Sequence, residues 1–326
     1  MNHTKALRSL AVTPPRRALR PSSIAGLLAL VALAVLPLAM NDAFYLHLAI
    51  FICLNAIQVS GLSLLARTGQ VSLCHGAFAG IGAYASVAVV MGAGLPFAAG
   101  LLVAVVASAA FAWLLGAIVL RLRGVYFVLV TFAFGELVRL CLLEGDTVTG
   151  GANGITGIPP AALFGYVFST KASFYCLAVV ITAAVFFLLH RLYRSPAGHA
   201  VDAVGENANL AEASGLGVRG TQTFAFTLGS ALAGLGGALT AHYLGYVSPE
   251  SFNMHLSVAL IIMMVVGGRA YLFGPLVGAL VMTPLPELFR GAVETQNIFY
   301  GAALILMLRF LPQGLSSLGR RLGDKR

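Results

Sequence analysis

PFAAGLLVAVVASAAFAWLLGAIV, residues Pro96–Val119, decides the fold class. None of its 24 residues is Asp, Glu, Lys or Arg, and Ser108 is the one hydroxyl in the run. At 1.5 Å per residue such a helix is roughly 36 Å long, enough to cross the roughly 30 Å of hydrocarbon in a bilayer. It has no polar face to turn toward water, so its solvent is lipid or the protein's own interior.

The same ruler, about 20 apolar residues per crossing, divides the chain into ten segments: 24–40, 44–65, 71–91, 96–119, 124–143, 173–190, 221–244, 255–268, 272–290 and 297–311. The eighth and tenth are short. The third is rich in Gly and Ala and reads as a candidate broken or re-entrant helix. The fold expected is an all-α polytopic membrane protein of about ten transmembrane helices. Composition agrees: 59% of the 326 residues are hydrophobic and 10% charged, against about a quarter charged in soluble domains. Lys5–Arg20 followed by the apolar run 24–40 reads as an uncleaved first helix. The run is long for a signal core, lacks a small-x-small cleavage site, and another span follows at once.

Charge orients the bundle. With the N-terminus inside, 17 of the 20 Lys and Arg fall on cytoplasmic ends, and only Arg139, Lys171 and Arg290 lie toward the outside. Asp42, Glu144, Asp146, Glu250 and Glu294 collect on the outer side. Short cytoplasmic loops enriched in Lys and Arg are the signature of this orientation, so both termini are expected in the cytoplasm. Residues 1–23 form a basic cytoplasmic tail, 24–311 the membrane domain and 312–326 a second basic tail. Residues 144–172 form the main outer loop and 191–220 the main cytoplasmic one. The net charge of +9 is spread in clusters between spans, not along a stripe with aromatics, which excludes a nucleic-acid surface. Cys53, Cys74, Cys141 and Cys176 sit in apolar segments without Cys-x-x-Cys spacing and read as buried free thiols. No histidine pair has metal-ligand spacing, and no serine stands out as a nucleophile, so neither a metal site nor a catalytic residue is expected.

The cytoplasmic loop carries a helix start at Ser195-Pro196. Val201, Val204, Ala208 and Ala211 share one helical face, while Asp202, Glu206, Asn207 and Glu212 lie off it. Gly205 is expected to split the segment into two short helices, and Gly215 to end the second in a left-handed conformation. A polar face made of carboxylates and amides suits a docking partner better than anionic lipid, which selects Lys and Arg. Gly215–Gly220 matches G-x-G-x-x-G, but no strand precedes it, and no Gly-Lys pair exists for a phosphate loop. Any nucleotide used in transport must bind another subunit.

Within the spans, Gly76-x-x-x-Gly80 is surrounded by Gln70, Ser72, His75 and Tyr84. Polar groups at membrane depth need partners or water, so these residues are read as cavity-lining. Glu136 and Arg139 lie one turn apart in the fifth span. Intramembrane charges mark function by default, yet an i, i+3 ion pair near the interface explains them equally well.

Several ordered segments resemble one family. They are Gly69–Tyr84 (GQVSLCHGAFAGIGAY), Gly124–Arg139 (GVYFVLVTFAFGELVR), the Thr149–Pro159 loop, Ser195–Gly217, Phe226–Leu239, Ser248–Phe252 and Gly267–Gly278. Together, across residues 60 to 315, they look like the inner-membrane permease subunits of bacterial high-affinity branched-chain amino-acid ABC importers. Cys74 stands where that family usually has Gly. The resemblance implies a second related permease in a heterodimer, two cytoplasmic ATPases that bind ATP-Mg, and a periplasmic binding protein. It implies no cofactor on this chain. It places the coupling segment at Glu206, Asn207, Ala211, Glu212, Ala213 and Gly215. It puts Gln70, Ser72, His75, Gly76 and Tyr84, with Tyr126, Thr131 and Glu136, beside the translocation path, and assigns Gly150, Gly151, Asn153 and Gly154 to an outer loop. Relatives in the superfamily carry urea, short amides or sugars. A self-contained transporter or channel, with Glu136 or Glu287 as a proton site, stays open beside this reading. An intramembrane enzyme lacks any catalytic constellation to support it.

Overall fold

The computed structural model describes residues 42–122, 124–163, 165–288 and 301. The expected spans 24–40 and, apart from residue 301, 297–311, with both basic tails and Arg290, lie outside the described residues, as does the Glu287 side chain.

Seven described segments are long and apolar enough to cross a membrane. They are α1 (Ala43–Ala66), α2 (His75–Val87) continued by a π-helical turn (Ala88–Gly92), α3 (Phe97–Val119), α4 (Val125–Glu144), α6 (Lys171–Tyr193), α9 (Val218–Leu244), and a 3-10 turn (Pro249–Phe252) leading into α10 (Met254–Gly267). Between them lie α5 (Asp146–Thr149), α7 (Pro196–Glu206) and α8 (Ala208–Ala213), and α11 (Gly274–Met282) and α12 (Leu285–Leu288) follow. Two expectations change. The third span begins at His75 rather than at residue 71, because residues 71–74 run without helical bonds and the Ser72 hydroxyl accepts from the Cys74 amide at 3.2 Å. The ninth, read as one span over 272–290, is two pieces. Pro284 has no amide to donate, so α11 stops after nine residues and a separate helix, α12, starts at Leu285.

Helix α9 is the hub and packs on α1, α2 and α3. Lipid supplies no hydrophobic force between helices, so contact depends on close backbone approach. The α2–α9 crossing achieves it where Gly82 lies directly on the Gly234 backbone, with no room for a Cβ. Ser108, the lone hydroxyl of the opening stretch, turns inward here and donates to the Phe78 carbonyl at 3.1 Å. Burial is uneven: 83% of the core window of α1 is buried against 17% of that of α4. Outward faces are apolar, as Leu102, Trp113 and Ile118 on α3 and Val125, Leu129 and Leu137 on α4 illustrate. The four cysteines are free, but only Cys53 and Cys74 are buried; Cys141 and Cys176 face outward, contrary to the uniform burial expected from their apolar surroundings.

The all-α expectation needs one amendment outside the membrane. Strand β1 (Ile155–Thr156) pairs antiparallel with β4 (Tyr246–Val247), and β2 (Ala162–Leu163) pairs with β3 (Tyr166–Val167). The first ladder ties the outer loop to the α9–α10 connection, satisfying backbone groups that no helix could use there.

Candidate translocation crevice and the 195–217 loop

Residues 70–76 turn at the base of α2 and build one polar cluster. Ser72, fully buried, shares hydrogen bonds with Cys74 Sγ at 3.0 Å and His75 Nδ1 at 3.3 Å. Thr131 of α4 accepts from the Leu73 amide at 3.2 Å and donates to the Val128 carbonyl at 2.9 Å. The Gly76 amide donates to Ser257 of α10 at 2.9 Å. Gly76 and Gly80 are filled by Ser257, Asn253 and Phe252, which is close packing by small residues. Beside this cluster lies a narrow crevice between α2, α4, the 3-10 turn and α10. Its cavity volume is only about 10 Å³, barely room for one water, and Leu73, Ala77, Phe132, Glu136, Met254 and Ser257 are among its walls.

At one end of the crevice the two charges of α4 find a third. Arg139 Nε donates to Glu136 Oε2 at 2.9 Å, and Arg139 Nη1 donates to Glu250 Oε1 at 2.8 Å. Glu250 stands on the 3-10 turn, so the guanidinium links α4 to a different element. One guanidinium is thus shared by two carboxylates through charge-assisted hydrogen bonds. Sequence reasoning weighed Glu136 and Arg139 as a local pair and missed Glu250, although it lies inside the quoted Ser248–Phe252 motif. No periodicity relates residues 111 positions apart.

The structure gathers Ser72, Gly76, Thr131 and Glu136 on the α2–α4 side of the core, whereas the His75 ring reaches toward the α1–α9 crossing with its Nε2 beside Gly229, and Gln70 is buried just ahead of α2. Tyr84 stands further along α2 against Phe252, with ring centroids 6.5 Å apart. Tyr126 is not part of this cluster: it is 71% exposed on the outward face of α4. Gly150, Gly151, Asn153 and Gly154 form a tight turn under the β1–β4 ladder, where the Asn153 carbonyl accepts from Tyr246 Oη at 3.3 Å.

The 195–217 loop is built from caps. Ser195 accepts from the Gly198 amide, and Pro196 opens α7. The break between its two helices falls at Asn207, not at Gly205, which stays helical. Asn207 is extended, ends α7 and caps α8 by accepting from the Leu210 amide at 3.0 Å. Gly215 has φ +87° and closes α8. Val204, Ala211 and Val218 form a small core of their own. Ala211 is therefore an internal support, whereas Glu206, Asn207, Glu212, Ala213 and Gly215 are exposed. Leu210, 65% exposed at the tip, went unnoticed because one leucine breaks no pattern. A fixed joint holds the loop to the membrane domain. Arg67, at the end of α1, grips Asp202 of α7 through two bonds of 2.8 Å and lies 3.8 Å from the centre of the Tyr193 ring. Gly205 rests directly on the Arg67 carbonyl.

A family model described as "Branched-chain amino acid transport system / permease component" matches residues 44–308. The chain belongs to this family. The permease is 34% identical over 92% of its length to the high-affinity branched-chain amino acid transport system permease protein LivM of Escherichia coli, covering 77% of that protein. It is 35% identical to the protein of the same name from Salmonella typhimurium, covering 78% of this chain and 65% of that one. A shorter match, 36% identical over 33% of each chain, is to the probable ABC transporter permease protein YphD of Escherichia coli. No solved structure matches. The region matched by the family model takes in the whole crevice, the charged triad and the 195–217 loop of the permease.

Proposed function

We propose that this permease is a membrane-spanning subunit of an ATP-driven importer in the bacterial inner membrane. It passes branched-chain amino acids delivered by a periplasmic binding protein. A second related permease completes the pore as a heterodimer, and two separate ATPases bind ATP-Mg and drive it. The observation that carries the reading is identity over nearly the full chain to a permease of that transport system, and seven apolar helices support a multi-pass membrane location. The 195–217 loop is the coupling segment in this proposal: an acidic, exposed tip mounted on α1 and α6 through Arg67, Asp202 and Tyr193. A ligand-driven change must act through a difference in contacts between two states. A stiff joint passes displacement of the tip into the spans without dissipating it in a flexible linker.

Reconstitution tests this. Proteoliposomes with the permease alone are expected to show no leucine uptake, and the full set of partners with ATP to restore it. Uptake by the lone chain without ATP would overturn the proposal.

A further inference from the structure

The triad at the crevice mouth has a shape that its structural role leaves unexplained. One guanidinium is divided between two carboxylates, and among the described residues Glu136 Oε1 and Glu250 Oε2 carry no hydrogen bond. Glu136 also lines the crevice. The two links differ in permanence. Glu136–Arg139 is an i, i+3 pair within one helix, with side chains 32% and 22% exposed. Arg139–Glu250 joins two elements, and its carboxylate is 61% exposed on a four-residue turn. The second, exposed and joining two elements, is the weaker. It also spans the seam between α4, the least buried span, and the segment that roofs the crevice.

An α-amino acid brings one carboxylate, one ammonium and one side chain. We propose that Arg139, Glu136 and Glu250 form a gate that reads this zwitterion, an inference that rests on the amino-acid transport reading above. The substrate carboxylate replaces Glu250 on Arg139, whose planar fork suits a carboxylate. The ammonium takes the unused oxygen of Glu136, and an aliphatic side chain enters between Phe132, Phe252 and Met254. Exchanging one carboxylate for another on the same guanidinium changes the energy little. The gate opens without creating a tight site, which is what passage requires, since binding must be strong enough to admit and weak enough to release. Phe132, Phe252 and Met254 offer no partner to a charged side chain placed between them and exclude it by leaving it unpaired. In this structure the crevice is shut, with the Arg139–Glu250 link in place.

The test is the turnover of leucine uptake by the complete importer at saturating loaded binding protein, which separates the permease step from delivery. Glu136→Gln and the double variant Arg139→Gln/Glu250→Gln are each expected to lower turnover by about tenfold or more, while still co-purifying with the ATPases. A triad that only clamps α4 to the turn predicts otherwise, because paired glutamines bridge the same gap. Turnover within about twofold of wild type for either variant overturns the proposal. Should the double variant fail to assemble, Glu136→Gln alone decides. A wild-type complex that moves no branched-chain amino acid would instead remove the functional reading and leave the triad without its substrate.

Discussion

Gly205 shows how a single residue fixes the position of a loop. Its Cα meets the Arg67 carbonyl, so any side chain there must push α7 off the end of α1. Gly205→Val is expected to destabilise the protein by about 1–3 kcal/mol as an overpacked contact, seen as a lower unfolding temperature in detergent. Because the same shift separates Arg67 from Asp202, ATP-driven uptake should fall further than stability does. A variant with wild-type uptake would show that the joint carries no motion. The sequence hinted at Gly205 but for the wrong reason. Glycine lowers helix propensity, which suggested a break, whereas here it permits contact with another element. Asn207 made the break because its side chain satisfies the first amides of the following helix better than glycine does.

Among the elements, α7 and α8 carry the clearest sequence signal and α11 the most misleading one. The Val201, Val204, Ala208, Ala211 face was legible because burial of a helix stripe repeats every three or four residues, and three of those four are buried. The exposed acidic face is therefore available to a partner. Glu212→Lys is expected to abolish uptake while leaving membrane insertion intact; normal uptake by that variant would count against coupling through α8. Hydropathy merged α11, Pro284 and α12 into one segment because an apolar proline raises no alarm on that scale, although its missing amide ends a helix. Hydropathy also ran the third span back to residue 71, since Val71 and Leu73 count as apolar whether or not their backbone is helical.

For the whole molecule, the arrangement around α9 explains why so apolar a chain still packs specifically. Small residues set the crossings, and large apolar ones face outward. Charge sorting predicts both termini inside, a prediction that concerns residues beyond those described. Reporter fusions check it: a periplasm-dependent phosphatase joined to either end should be inactive, and one inserted in the 144–172 loop active. Activity at only one terminus would mean an odd number of spans.

The sequence by itself determined the solvent, the orientation expected for the bundle and the family. Each of these depends on composition, charge placement or local order along the chain, and none requires two distant segments to meet. It also made Glu136 and Arg139 candidates, since a charge at membrane depth is costly wherever it lies. Only the tertiary structure brought Glu250 to Arg139, Asp202 to Arg67 and Thr131 to residue 73, and only it moved Tyr126 away from the crevice. These pairings depend on which faces of packed helices coincide. That is set by where glycines let backbones approach, a property of two helices at once that no single stretch of sequence contains.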